Sequence, residues 1–307
     1  MSFRSNHGGI TTVRQILIMY NENEMQRIID IEACLKDSIN NLSDISGVPL
    51  FDINVKLKLL LPLANIQPFK DLTIVDMSKL LYEKLSVEVT ELCLGLQYWN
   101  NMCGAFALKG CSPIYHKPND EIFVFSADGD KIQLEIKDVG ESQSIYIEKK
   151  MHYLHSFRKD AIMRKGLYIK GFTFPILYTS IIRVNSKNKT KLVCDALHVT
   201  RHAIIYEISR SVGCNNLPHN SISLMISYVK RCLKENEAQY IITAINNFLG
   251  FEGSSIKASG FKYLTERYVD YSYTGDLSYI GPLDKNSGER YYTDTTSLTN
   301  QVFYINI

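Results

Sequence analysis

The sequence lacks an apolar run long enough to cross a membrane. A spanning helix needs about 20 consecutive apolar residues, and polar or charged residues interrupt each apolar stretch well before that length. The first twenty residues contain Arg4, His7 and Arg14 but no apolar core of the kind that a secretory signal carries. We therefore expect a cytoplasmic or otherwise intracellular protein, without a signal peptide or a transmembrane segment.

Paired cysteines and a glycine-rich phosphate-binding loop are also missing from the sequence. The seven cysteines are an odd number without paired spacing, which favours a reducing compartment over a disulfide framework. With 45% hydrophobic and 21% charged residues, the composition is that of a globular protein and excludes the disordered and collagen-like classes. A chain of 307 residues can bury a large core without a metal or disulfide.

Positive charge is concentrated in the basic segment, residues 149–191. This segment contains eleven Lys and Arg residues against a single acid, Asp160, although the whole chain carries only +2. Such a concentration favours a polyanionic partner, because each neutralised phosphate releases counterions. Rings such as Tyr153 and Phe157 lie between the cations and could stack on unpaired bases, which favours RNA. The candidate nucleic-acid-binding residues are Lys149, Lys150, Arg158, Lys159, Arg164, Lys165, Lys170 and Arg183. In the alternative interpretation, the rings are core and the cations form a solvated face.

Hydrophobic periodicity predicts an α+β protein with a mainly helical region over residues 1–103. Apolar residues recur at helical spacing from Met25 to Leu42 and again from Leu81 to Leu96, where Ser78 is a candidate N-cap. Residues 104–307 are expected to form a mixed α+β region, although one compact domain is also possible. The C-terminal tail from about residue 265 is rich in Tyr and Thr and is expected to be extended.

Within the mixed region the pattern predicts a β-hairpin over about 121–137. Asp128-Gly129 separates two alternating runs and is typical of a two-residue turn, which would place Ile122 opposite Glu135 and Asp120 opposite Lys137. In this register Phe123 and Phe125 would face the core. The following residues predict a basic amphipathic helix over about 144–165, a strand-like stretch over 167–184, and two more helices at about 191–212 and 221–249.

The hairpin carries a short motif of two acids and a lysine. Pro118-Asn119-Asp120 is followed after fourteen residues by Glu135-Ile136-Lys137, and this string resembles the core of the PD-(D/E)xK nucleases. The resemblance implies that Asp120 and Glu135 hold Mg²⁺ and that Lys137 positions or activates the attacking water. Hard carboxylate oxygens suit Mg²⁺, which stabilises the charge that develops on the phosphate. The alternative interpretation is an ordinary solvated hairpin face, with a cross-strand charge pair.

A second cluster combines Cys194, His198 and His202 at i, i+4 and i+8 of the predicted helix. Thiolates and imidazoles are natural zinc ligands, so these residues are weak candidates for a metal site. No glutamate lies between the histidines to act as a general base, which favours a buried cysteine with hydrogen-bonded histidines.

Three functions remain open from the sequence alone. The first is a non-enzymatic, nucleic-acid-associated protein that binds RNA and possibly assembles into a homo-oligomer, without a cofactor. The composition, rich in Ile and Asn, indicates an AT-rich coding source and suits a viral protein. The second is the Mg²⁺-dependent nuclease, and the third is a protein-interaction scaffold that uses the helical region.

Overall fold

The structure, a computed structural model, describes residues 20–117, 121–273, 277, 279–280 and 296–307. Its α-helices are α1 (Glu22–Ser46), α2 (Leu50–Leu60), α3 (Ile74–Cys103), α4 (Glu141–Tyr146), α5 (Lys187–Leu197), α6 (Ser221–Lys234) and α7 (Ser254–Ala258). Its strands are β1 (Tyr115–His116), β2 (Ile122–Phe125), β3 (Lys131–Asp138), β4 (Ala161–Ile169), β5 (Leu177–Arg183), β6 (Ile205–Gly213), β7 (Tyr240–Ile245), β8 (Lys262–Tyr273), β9 (Tyr279–Ile280) and β10 (Thr296–Asn306). The predicted α+β class, with a helical N-terminal region and a strand-rich C-terminal end, is confirmed.

Helices α1 to α3 begin and end at residues with clear local signals. Asn21 and Glu24 form a reciprocal capping box at the start of α1, and Gly47 ends it in the left-handed conformation. Helix α3 is capped by Thr73 and not by Ser78, which is buried inside the helix. No helix in the described ranges is both long and apolar enough to span a bilayer.

The helical region packs its apolar stripe against residues from the far end of the chain. Ile28, Ile31 and Leu35 of α1 share a core with Leu81 and Leu85 of α3. Phe248, Leu249, Val269 and Leu298 belong to the same core. Fully burying each such side chain contributes about 1.5–3 kcal/mol, so this core attaches the N-terminal helices firmly to the sheet.

The strands form one mixed sheet in the order β1-β2-β3-β4-β5-β6-β7-β10-β8-β9. Neighbouring strands pair antiparallel except β6 and β7, which are parallel and are connected through α6. A parallel pair requires a crossover connection, and α6 provides it. Lys165 pairs with Thr179 in the sheet and lies over the ring of Tyr228 in α6, so α6 covers the face of Thr179.

The hairpin forms, but its predicted register was wrong by one residue. Strands β2 and β3 pair Ile122 with Leu134 and not with Glu135. The connection has three residues, 127–129, because Gly129 adopts a positive φ of 90° and closes a wider loop than a two-residue turn. The shift places Phe123 and Phe125 on the outer face, where both rings contact Tyr115. Ile122, Val124 and Leu134 form the core side instead.

The predicted basic helix over 144–165 was wrong beyond its first turns. Helix α4 ends at Tyr146, one π-helical turn covers Ile147–Met151, and Ala161–Ile169 forms β4 between β3 and β5. Pairing on both sides overrides the local helical pattern. Gly166, the residue directly after the predicted helix, lies inside β4, and the stretch predicted over 167–184 is divided between β4 and β5.

The two later helices were each predicted too long. Helix α5 ends at Leu197, and residues 205–213 form β6; helix α6 ends at Lys234, and residues 240–245 form β7. Both strands contain β-branched residues at buried positions, including Ile205, Ile208 and Ile241. Their apolar side chains fit a helix or a buried strand equally well, and only long-range pairing decides between them.

Gly166 provides a test of the packing around β4. A Cβ atom there would lie 2.7–2.8 Å from atoms of Tyr168, Pro175 and Val139. We expect Gly166→Ala to lower the free energy of unfolding by about 1–3 kcal/mol through overpacking. Gly140→Ala is the control, because no atom lies within 4 Å of the added Cβ. Urea denaturation monitored by circular dichroism measures both, and equal midpoints for the two variants would contradict the packing described.

Candidate functional site

The parallel strands β6 and β7 separate part of the way along their length. They pair only from Ile205–Tyr240 to Ile208–Thr243, and the Thr243 hydroxyl donates to the carbonyl of Ile208 at 3.2 Å. Beyond this point β6 follows β5 and β7 follows β10. We call the resulting gap, between residues 209–213 and 244–246, the fork. Ligands of open sheets commonly bind outside the carboxyl ends of parallel strands.

A β-bulge at Ser209 determines which side chains reach the fork. Ile208 pairs with Ile181 and Arg210 pairs with Ser180, so Ser209 is the extra residue. A bulge shifts the following side chain to the opposite face. Arg210 therefore lies on the face of Ser180 and Tyr178, opposite the face that α6 covers.

A cavity of about 170 Å³ occupies the fork. Leu92, Leu96 and Trp99 of α3 line it on one side of the sheet. Met225 and Ile226 of α6 line it on the other side, so it passes between the strands. Because a single water requires only about 10–15 Å³ of such space, the cavity can hold a small organic group.

The remaining side of the cavity is polar and contains mainly cationic or donor groups. We call it the polar wall; it consists of Lys56, His152, His155, Arg210 and Asn246. Arg210 is 4% exposed; its Nη1 donates to the Ser209 carbonyl at 2.7 Å and its Nη2 to the Ser156 hydroxyl at 3.0 Å. Asn246 is 1% exposed and its Oδ1 accepts from the Leu249 amide at 3.3 Å.

Two hydrogen-bond donors of the polar wall have no partner among the residues that the structure describes. They are Nε of Arg210 and Nδ2 of Asn246. Leaving a buried donor unsatisfied costs about 1–3 kcal/mol, and more for a charged group. Proteins tolerate this cost mainly where the group has a further role, such as binding a ligand or an ordered water.

Buried Glu148 fixes the segment that presents the two histidines. One carboxylate oxygen accepts from the Tyr178 hydroxyl at 2.6 Å, and the other accepts from the backbone amide of Arg158 at 2.5 Å. Burial and the nearby carboxylate both raise the pKa of Tyr178, so the phenol remains a donor. The chain between Glu148 and Arg158 is thereby held against β5.

Burial and neighbouring cations keep both histidines neutral. Burial, followed by the charge of Lys56, lowers the pKa of His155 to about 4, and the Lys56 ammonium lies 3.4 Å from Nε2 of its ring. Burial, followed by Arg210 and His155, lowers the pKa of His152 well below its usual range. Nδ1 of His152 accepts from the Leu154 amide at 3.1 Å, which leaves the proton of the neutral ring on Nε2.

The basic segment does not form a single uncompensated surface. Arg158 is buried and makes a two-pronged contact with Asp160, at 2.8 and 2.6 Å. Lys165 pairs with Asp138 at 2.8 Å, and Lys189 pairs with buried Glu207.

Arg164 of the basic segment is half-buried. Its guanidinium lies over the ring of Phe157 and donates to the Arg158 carbonyl at 2.8 Å. The exposed members of the candidate set are Lys149, Lys150, Lys159, Lys170 and Arg183.

The aromatic residues of this segment are mostly inside the protein. Tyr168, Phe174 and Tyr178 belong to the main core. Tyr153 lines the cavity and stacks on His152 with ring centroids 4.4 Å apart. These rings are therefore not arranged as an external stacking platform.

The nuclease motif is only partly described by the structure. Asp120 lies outside the described residues, together with Pro118 and Asn119. Glu135 and Lys137 lie on the outer face of β3 and pair with each other at 2.8 Å, and Lys137 also lies over the ring of Tyr168. The catalytic set Asp120, Glu135 and Lys137 thus stays a prediction.

The cysteine and histidine cluster does not share a helical face. Cys194 is buried in α5, His198 ends that helix with a positive φ of 55°, and His202 lies in the exposed turn that follows. The prediction of one helix through all three was wrong because α5 stops at Leu197. Among the described residues, no group of three or more His, Cys, Asp or Glu side chains could hold a metal.

Sequence patterns could not have identified the polar wall. Its members lie at positions 56, 152, 155, 210 and 246, on separate elements that only the fold brings together. His152 and His155 stand out as rings within the basic segment, but their burial follows from the Glu148 contacts. The bulge that turns Arg210 inward leaves no mark in the sequence.

Comparison with known proteins identifies one family. Residues 133–301 match the model of the Mom protein family, which is more than half of the chain and includes both strands of the fork. A search of curated proteins finds no match.

Solved structures of several acetyltransferases overlap with part of the chain. An N-acetyltransferase from Staphylococcus aureus Mu50 is 13% identical, covers 56% of this chain and 97% of its own, and has a TM-score of 0.32. A polyamine N-acetyltransferase from Drosophila melanogaster is 8% identical, with 57% and 100% covered and a TM-score of 0.35. A GNAT-family acetyltransferase from Listeria monocytogenes is 10% identical, with 57% and 96% covered and a TM-score of 0.35. Scores at this level support no conclusion about function.

The pKa of His155 tests the electrostatics of the polar wall. We expect its ring to stay neutral down to about pH 4 and Lys56→Met to raise its pKa, because a neighbouring cation is removed. Since the folded pKa lies below the ordinary 6.5, the neutral ring stabilises the fold above pH 6.5, and this contribution is lost as the pH falls toward 4. NMR titration of the histidine rings measures the shift.

The control for this titration is Lys79→Met, which removes an exposed cation from α3. It should leave the pKa of His155 unchanged. A pKa of His155 near 6.5 in the wild type would contradict the arrangement, and so would a pKa that does not change in the Lys56→Met variant.

Proposed function

This chain belongs to the Mom protein family, and we propose that it is an enzyme that modifies DNA at the cavity in the fork. Mom is a phage DNA-modification protein. The phage origin agrees with the viral type that composition suggests. The match extends over β3 to β10 and therefore includes the strands that form the cavity.

The observation that carries this proposal is the buried polar wall with its unpartnered donors. A purely structural core would not leave Arg210 and Asn246 with unsatisfied donors beside an open cavity. Active sites are the usual place where burial and like charges shift pKa values, as they do at His152 and His155. The neutral His152 ring can donate a hydrogen bond from Nε2, and Arg210 can stabilise negative charge that develops on a reacting group.

The depth of the cavity favours a base that leaves the duplex. Trp99 and Arg210 are buried, and stacked base pairs cannot reach groups at that depth. Enzymes that modify bases extrude the target nucleotide into a pocket and commonly hold it by stacking and hydrogen bonds. Tyr153, stacked on His152 in the cavity lining, offers an aromatic surface for such a base.

Exposed lysines beside the cavity are suited to hold the nucleic-acid backbone. Lys149 and Lys150 are exposed, and Lys150 lines the cavity. Contacts of this kind position the substrate without reading its sequence. Binding to RNA, which the sequence favoured, is an alternative; the burial of Tyr168, Phe174 and Tyr178 removes the external stacking surface on which it depended, and membership of the Mom family favours DNA.

DNA modification can be measured by mass spectrometry of nucleosides. We expect DNA from bacteria that express the protein to contain a modified nucleoside absent from cells with an empty vector. Arg210→Gln should lower its amount by about ten- to hundredfold, the cost of losing a charge-assisted hydrogen bond. Arg201→Gln, which removes an exposed cation away from the cavity, is the matched control.

Two results would contradict the proposal. One is unmodified DNA alongside abundant folded protein; the other is wild-type modification by the folded Arg210→Gln variant. Analysis of RNA from the same cells tests the alternative substrate, because modified nucleosides confined to RNA would replace DNA in this account.

A further inference from the structure

All the unsatisfied polar atoms of the polar wall have the same hydrogen-bonding character. Nε of Arg210 and Nδ2 of Asn246 are both donors, and the free ring nitrogen of His152 carries a proton. A ligand that satisfies them must supply acceptors. Water could satisfy one or two of them, but it would not compensate the charge of the guanidinium.

The charge of Arg210 is not balanced by a direct carboxylate partner within the described residues. Its guanidinium hydrogen bonds go to a serine hydroxyl and a backbone carbonyl. The carboxylates close enough to interact electrostatically with Arg210 have other partners. Glu148 accepts from Tyr178 and from the Arg158 amide, Glu207 pairs with Lys189, and Asp160 pairs with Arg158. Asp52 is the carboxylate that lines the cavity. Of the two lysines that line it, Lys56 pairs with Glu88 at 3.5 Å, whereas Lys150 is exposed and adds its charge to that of Arg210. The site therefore has an excess of positive charge.

The rest of the cavity is apolar. Leu96, Trp99, Met225, Ile226 and Phe251 line it. A ligand that fits has an anionic oxygen-bearing group at one end and an apolar part beside it. Neither an uncharged ligand nor a fully polar one would match both the polar wall and the apolar lining.

We propose that the cavity binds a small anionic molecule, with its carboxylate or phosphate group placed against Arg210 and Asn246. This inference rests on the proposed function in one respect: the molecule would bind in the same cavity as the base that the enzyme modifies. A phosphate of the DNA backbone is a poor candidate for the same place. Arg210 is 4% exposed, and a phosphate bound to a polymer cannot reach a guanidinium so deeply buried without pulling the chain through the fork.

Trp99 provides a direct signal for this binding. It is the only tryptophan of the chain, it is buried, and it lines the cavity. We expect butyrate to change its fluorescence in a saturable manner, whereas butyramide, which has nearly the same shape without the charge, should have little effect. Inorganic phosphate in a parallel titration distinguishes the sources: a stronger response to phosphate assigns a phosphate-bearing ligand, and a stronger response to butyrate assigns a carboxylate.

Two variants connect the signal to the proposed residues. Arg210→Gln should weaken butyrate binding at least tenfold, and Arg201→Gln should not change it. Asn246→Asp retains the oxygen that accepts from Leu249 but replaces the free donor by a repelling carboxylate, so it should weaken binding without disrupting the turn. If Arg210→Gln does not fold, the Asn246→Asp variant still tests the proposal.

Equal responses to butyrate and butyramide would overturn the inference, as would wild-type affinity for both anions in the folded Arg210→Gln and Asn246→Asp variants. The titration contains no DNA, so its outcome is separate from that of the modification assay. Modified DNA without anion binding would remove this inference alone. Anion binding without any DNA modification would remove the proposed function.

Discussion

The separation of β6 and β7 is the constraint on which the site depends. While the two strands pair, their backbone groups satisfy each other, and no room exists between them. The pairing ends at Ile208 and Thr243 because each strand follows a different antiparallel neighbour from there on. The gap that results connects both faces of the sheet, and a sheet that continued its parallel pairing would have no cavity at this place. The bulge at Ser209 then directs Arg210 into it.

The contacts that surround the site stabilise the fold, whereas the unsatisfied donors inside the site do not. Glu148, Tyr178 and the Arg158 amide form a satisfied buried network that fixes residues 148–158 on the sheet. Within that frame lie neutral histidines beside cations, together with two donors that have no partner among the described residues and therefore cost stability. Proteins commonly retain strained or unsatisfied groups at functional sites because the surrounding structure compensates for them. Membership of the Mom family gives this arrangement a biochemical context.

Local signals in the sequence were sufficient for elements stabilised by local contacts. Helices α1 and α3 follow from apolar spacing, although the predicted cap Ser78 lies inside α3, and the existence of the β2–β3 hairpin follows from its turn residues. Strands β4, β6 and β7 could not be predicted, because their apolar residues also suit helices and only pairing with distant strands decides. The site depends on these same strands. Charge counting found the basic segment and Asp160 within it, but not the partners Asp138 and Glu207, which come from β3 and β6.

Filling the fork tests the central claim most directly. Ala244 lines the cavity, whereas Ala127 lies in the exposed hairpin turn, so Ala244→Leu and Ala127→Leu form a matched pair. Both proteins would be compared by thermal melting and by the amount of modified nucleoside in cellular DNA. The account predicts that Ala244→Leu melts within a few degrees of the wild type and loses DNA modification, while Ala127→Leu retains both. Wild-type modification by a folded Ala244→Leu protein would place the reaction elsewhere and contradict the account.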